Sequence, residues 1–278
     1  MKNNSAVFLL VLITLPSACT VGAPPQPPSL EYDISGSHDL TYEYSSEMTV
    51  SISMMGQSMA LSQKGNGVYS VELNPLGRGV DAKLSVMELE ATISNPMGAP
   101  VVLDQNSITG ALEFTLDRFG NAALLREPDV DDAAVQMFSG ATVAHGFFPG
   151  LPGRPVKQGD VWVDTVSFDA GTDSRVHSEM SVLTYAVAGD TVINGRALLV
   201  LNTVGTRKSQ FDMNMQGMSV TQSSDVRIEG YVLWDYDESV MFESRRSITG
   251  EGTVSIPVAP FPLPIRIEAN EHTLLQSR

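Results

Sequence analysis

Three kinds of residue in this chain have the chemistry and spacing for a site. The histidines His38, His145, His177 and His272 stand far apart, so any use of imidazole for metal binding or proton transfer has to be assembled by the fold, not by a local motif. Two acidic runs invite a calcium reading. Asp129-Val130-Asp131-Asp132 has neither the glycine at the sixth place nor the glutamate at the twelfth that an EF-hand loop needs; acids there suit the first turn of a helix. Asp235-Tyr236-Asp237-Glu238 falls between two apolar runs and reads as a solvated hairpin turn. The unusual usage is methionine, in MTVSISMMGQSMALSQ and FDMNMQGMSVTQSS. Thioethers fill irregular cores, line pockets for apolar ligands or bind Cu(I) as soft ligands. With no histidine or cysteine beside them, copper is the weakest of the three. Met54, Met59, Met213, Met215 and Met218 are the candidate apolar pocket, provided the two strands pair. No Gly-x-Ser-x-Gly elbow, His-Glu-x-x-His helix, Walker loop or dinucleotide glycine pattern is present. No catalytic residue, cofactor or metal site is therefore assigned, and a non-enzymatic protein is expected.

The elements that must position these residues begin after an apolar run, Ala6 to Leu15, followed by LPSAC, whose last residue, Cys19, is the chain's one cysteine. The run is shorter than the ~20 residues needed to cross a bilayer and carries Lys2 before it and small residues after it, as a secretory signal does. It resembles a bacterial lipoprotein signal, with Pro16 where the usual leucine stands and Leu15 one place further back. That resemblance implies residues 1–18 as the signal, Cys19 as the lipidated first residue of the mature chain, and, with Thr20 rather than aspartate next, the outer membrane. The competing reading is ordinary cleavage after Ala18 or Ala23, which leaves an unpaired thiol in an exported protein. Residues 19–30 include VGAPPQPPS, a proline-rich tether that favours an extended spacer.

The domain from 31 to 278 carries the acidity of the chain, which has 32 Asp and Glu against 17 Lys and Arg for a net charge of −15. Nucleic acid and anionic headgroups are poor partners for it. At 42% hydrophobic residues it has ample material for a core, and one cysteine excludes an internal disulfide. Its strongest pattern is a period of two: Leu40, Tyr42, Tyr44, Met48, Val50, Ile52 and Met54 share one face, with Ser46 the exception. After Met55-Gly56 the apolar set moves to odd positions, which implies a turn or bulge at the glycine. Lys64-Gly65-Asn66-Gly67 and Asn194-Gly195 read as hairpin turns. Further strands read at 82–86, 87–93, 112–116, 161–168, 180–187, 197–201, 211–215, 226–234, 240–247, 254–258 and 265–269. The one helix is expected at 129–139, after Pro128 and stopped by Gly140. Together these predict an all-β fold: a large antiparallel curved sheet, open barrel or sandwich, with one short covering helix.

FFPGLPGRP at 147–155 divides the domain into halves, 31–146 and 154–278, and the two methionine strands raise the possibility of duplication. The order of methionine strand, Leu116-Asp117-Arg118-Phe119-Gly120-Asn121, helix, Pro155-Val156-Lys157-Gln158-Gly159-Asp160-Val161-Trp162 and late Trp234-Asp235 is similar to a family of uncharacterised β-rich bacterial lipoproteins, a domain of unknown function. The resemblance implies an architecture and a cell-envelope location and carries no catalytic residue. The expected function is a membrane-anchored binding or carrier module for an apolar small molecule. The alternative is an envelope scaffold or assembly protein working through protein contacts. Cys19→Ser is expected to abolish fatty-acid labelling and release the protein from membranes; continued labelling, or a soluble wild type on fractionation, removes the anchor.

Overall fold

The computed structural model describes residues 29–278 apart from 33, 55–56, 95–98, 132–133, 135–137, 173–174, 216–217 and 258; Cys19 and the tether up to residue 28 lie outside the described residues. The chain opens with β1 (Ser29–Leu30), β2 (His38–Met54), β3 (Gln57–Pro75), β4 (Gly79–Ser94), β5 (Val101–Asp104), β6 (Ile108–Thr109), β7 (Ala111–Asp117), β8 (Ala122–Arg126) and β9 (Asp129–Val130). A helix, α1 (Gly140–Gly146), follows. The second half holds β10 (Arg154–Pro155), β11 (Val161–Thr172), β12 (Arg175–Ile193), β13 (Arg196–Met215), β14 (Met218–Asp235), β15 (Val240–Ser255) and β16 (Leu263–Ser277).

Twelve of these strands form one antiparallel sheet in the order β11-β12-β13-β14-β15-β16-β2-β3-β4-β7-β8, with β5 also on β4. The sheet curls into a half-barrel. Strands from both halves share it, because the C-terminal β16 pairs with β15 on one side and β2 on the other. The even face of β2 points into the hollow, where Leu40 and Tyr42 are buried, as its period of two requires. Curling brings neighbouring backbones close on the concave side. At Gly230 and Gly250 an added Cβ would overlap the carbonyls of Arg245 and Asp225 on the next strand, so these strands take their curvature at residues with no side chain.

The edges β11 and β8 make no hydrogen bonds to each other within the sheet. Helix α1 packs against β7 and β8 on one side and β11 on the other, closing the gap with side chains. The hollow at this end is filled by the N-terminal segment and the loop after α1. Leu30, Tyr32, Ile34, Phe148, Leu151 and Val156 are buried in one cluster with concave residues of the sheet. Tyr32 stacks edge-on to Trp234 and Phe148 and donates its hydroxyl to Pro149 O at 2.8 Å. β1 pairs with β10, Tyr32 N donates to Arg118 O, and Leu151 N donates to Phe119 O. The segments 116–121 and 155–162, singled out by the family resemblance, thus build this plug. Asp117 Oδ1 accepts from Phe119 N and Asn121 N at 2.8 and 2.9 Å, and Trp162 donates to Gly150 O at 3.0 Å.

Three local expectations are corrected. The helix is Gly140–Gly146 rather than 129–139: Asp129–Val130 is strand β9, paired with β6, and Asp131 closes a turn by accepting from Ala134 N at 2.8 Å. The helix starts where Ser139 accepts from Thr142 N. Gly140, read as its stop, is the first helical residue, and a Cβ there would crowd Leu112 and Glu127. Lys64 to Gly67 is no turn; it runs through the middle of β3, whose Gln57 faces Met54 of β2. Asp235 is buried rather than solvated, holding Asp237 N, Glu238 N and the Arg278 guanidinium. Asn194-Gly195 does form the expected two-residue hairpin, both with positive φ, 52° and 79°. Tyr32→Ala is expected to cost about 3–5 kcal/mol of stability, as truncation of a buried aromatic does, and Tyr32→Phe about 1 kcal/mol for the lost hydrogen bond, both read by chemical denaturation.

Candidate functional site

Sheet register decides where the hollow is filled and where it is empty. One row across the concave face reads Thr203, Gly230, Arg246, Glu271, Ser46, Gly65, Ala91 and Leu103, each the partner of the next on the adjoining strand. The next row toward the plug continues through Ser244, Thr273, Tyr44 and Gly67. Glycine, alanine and serine at these places leave space that the rows on either side do not. Beyond them, Val226, Ile228, Ile248, Ile265, Ile267 and Ala269 close the hollow as a second apolar cluster.

The space is a cavity of about 200 Å³ between the concave face and the 134–147 segment. Leu84, Leu89, Leu103, Ile108, Phe138 and Phe147 line its apolar side, and Arg207, Arg246, Glu179 and Glu271 bring charge to it. Arg246 donates to Gly146 O at 2.9 Å, fastening β15 to the end of α1. Arg207 has no hydrogen-bond or ion-pair partner among the described residues. Tyr44 and Tyr69 also line the cavity. Burial, and then the charge of Glu271, holds the Tyr44 hydroxyl well above its ordinary range, and burial raises Tyr69 to about 12. Both stay neutral hydroxyls at physiological pH.

Beside the cavity the covering segment is held by stacked rings. His145 stacks on Phe168 at 4.7 Å and His177 on Phe211 at 3.8 Å, with Phe168 edge-on to His177. His177 is buried, with Nδ1 3.4 Å from Thr142 Oγ1. Its Nε2 lies 3.5 Å from Glu179 Oε2 in a geometry that makes no hydrogen bond. Two of the four histidines are thus brought together by the fold, around an aromatic ring. His272 is elsewhere, on the outer face, where Glu243 Oε1 takes hydrogen bonds from Tyr231 and Arg245 and lies 3.1 Å from His272 Nε2. Among the described residues no group of three or more His, Cys, Asp or Glu is placed to hold a metal ion.

The two methionine strands do not pair. β13 pairs with β12 and β14, and β2 with β16 and β3, so the two methionine strands lie four places apart in the sheet, roughly 19 Å at the spacing of neighbouring strands. Met59 and Met213 are half-buried and neither lines the cavity; the side chains of Met54, Met215 and Met218 lie outside the described residues. The residues that do line the cavity were not singled out from sequence, though a signal existed. Ser46 is the break in the even-face apolar run, and it faces the cavity. Gly65, taken for a turn residue, lines the cavity and leaves room in it.

Compared with known proteins, the chain matches no protein-family model and no curated sequence. His145 yields a test of the covering segment. Burial lowers its pKa, outweighing the opposing charge of Glu179, so the folded state binds this proton less readily than the unfolded chain. The contribution is fully present above the unfolded value of about 6.5 and is lost as pH falls from there through the folded value. Denaturation midpoints should therefore drop on acidification below ~6.5, and His145→Gln should flatten that part of the profile.

Proposed function

We propose that this protein is a cell-envelope lipoprotein, anchored at the outer membrane through Cys19, whose half-barrel binds a small ligand with an apolar body and a polar end. The observation that carries the reading is the cavity's two-sided lining. Leucine, isoleucine and phenylalanine stand on one side, two guanidiniums and two carboxylates on the other, and the covering segment spans the opening. Ligand sites are concave, mostly apolar and supplied with a few polar groups that set orientation. At about 200 Å³ the cavity is below the ~300 Å³ of usual ligand pockets and above the ~150 Å³ that accepts a benzene ring, which points to a small occupant. The carboxylates and guanidiniums here serve recognition, and no step of bond-making chemistry is assigned to them. Anionic macromolecules are disfavoured as partners by the net charge of −15.

The test fills the cavity from Gly65. A Cβ there meets Ala91 Cβ at 3.4 Å and Ser46 Oγ at 3.6 Å, ordinary contact distances, so the backbone accepts a side chain and a leucine extends into the space. In fluorescence titration with 2-naphthol, wild type should bind saturably and Gly65→Leu at least tenfold more weakly with its β spectrum unchanged. Equal binding by both, or no saturable binding by wild type, removes the proposal.

A further inference from the structure

The two ends of the half-barrel differ in charge. Following register across the sheet, Met215 faces Met218, Thr221 faces Ser255, Val254 faces Leu263, Ile265 faces Ile52, Met54 faces Gln57, Ser62 faces Ser94 and Ile93 faces Val101. The ends of β13 and β14, of β15 and β16, of β2 and β3 and of β4 and β5 therefore lie side by side at one end, neighbouring strand pairs about 10 Å apart. Their sequences contain no Asp, Glu, Lys or Arg over 213–224, 252–265, 48–63 and 91–103. At the chain's 18% of charged residues, 55 positions would carry about ten. The connections at the other end include Arg78, Arg118, Lys157, Asp160, Asp237 and Glu238. Charge is thus excluded from four adjacent hairpins of an acidic molecule, whereas the β11–β12 hairpin at the sheet's edge on the same end carries Arg175, which faces Met213.

That end also exposes apolar side chains. Phe261 is 75% exposed and Val102 65%. The β15–β16 connection sets Phe261 among Pro257, Pro260, Pro262 and Pro264, four residues with no backbone N–H. An unpaired N–H is what makes a turn costly to bring into an apolar medium, so this turn is better suited than most to entering one. The remaining residues of the four connections are chiefly Met, Val, Leu, Ser, Asn and Gln, a mixture compatible with the boundary between headgroups and acyl chains and poor in the charged groups that fix a protein partner's register.

We propose that the hairpin end carrying Phe261 docks on the surface of a zwitterionic lipid bilayer, with Phe261 and its flanking prolines entering the boundary of the acyl region. A neutral surface is specified because the molecule's net charge of −15 repels anionic headgroups. The contact is shallow, since the turns' other backbone groups must remain hydrated. It rests on the topology and on the distribution of charge, and stands whether or not the cavity binds a ligand.

Phe261→Trp in the full chain reports on this point directly, and the exposed site does not perturb the fold. Leu76→Trp, at 53% exposure in the β3–β4 turn, reports on the opposite end, and subtracting wild type removes the emission of Trp162 and Trp234. With phosphatidylcholine vesicles brominated near the headgroup, the emission of the Phe261→Trp variant should shift to the blue and lose at least half its intensity, while that of Leu76→Trp is unchanged. Replacing phosphatidylcholine by phosphatidylglycerol at low salt should weaken the quenching. Iodide access to the indole of Phe261→Trp unaffected by vesicles overturns the proposal, as does an equal response at both ends. A blue shift that grows with protein concentration without lipid also overturns it, in favour of contact with another copy.

Discussion

Insertion of Leu30, Tyr32 and Ile34 into the hollow of an unclosed sheet is the interaction on which the rest of this structure depends. A sheet with an apolar concave face has to bury that face, and one whose edges do not meet cannot do so by hydrogen bonding alone. The chain supplies the missing wall from two places distant in sequence, the segment ahead of β2 and the loop after α1, and locks them together through Tyr32 and Pro149. The tyrosine ring is almost fully buried against Trp234 and Phe148. Its position ties the point where the domain begins to the centre of the core.

The cavity follows from the same economy of material. The plug fills the hollow at one end and branched residues of β14, β15 and β16 fill it further along. Between them lie two rows of small and polar residues. A core is normally packed to crystal-like density with few voids, so a band of glycine, serine and alanine facing inward leaves space unless something reaches across. Arg246 does so only in part, its guanidinium drawn to Gly146 O. Among its described residues, the covering segment is held by rings, by apolar packing of Ala134 and Phe138 and by polar contacts such as Arg175 to Phe138 O.

Composition along the strands also gives the molecule two unlike ends. Buried and paired charges gather at the plugged end, where Asp235 takes the guanidinium of Arg278 and Glu238 shares it. Four adjacent connections at the opposite end, from β13–β14 to β4–β5, carry none, with Arg175 beside them at the sheet's edge. Ion pairs that fasten turns at one end, and four charge-free hairpins at the other, give the barrel a direction along its axis that the fold alone does not imply.

By itself the sequence determined the class of fold, the antiparallel grammar of the strands and the turn at Asn194-Gly195, because side-chain alternation and positive-φ turns are local properties that survive in the text. It also marked the exception at Ser46. Tertiary structure alone decided the meaning of that exception. Gly65-Asn66-Gly67 has the composition of a turn, and only its pairing with β2 on one side and β4 on the other makes it the thin part of a wall. The acids at 129–132 have the composition of a helix start, and only the pairing of β9 with β6 displaces the helix to Ser139. The methionine strands look alike, yet strand order keeps them apart. Strand order and register are set by contacts between residues far apart in sequence, whose partners no local pattern names, and the cavity is a property of those partners taken together.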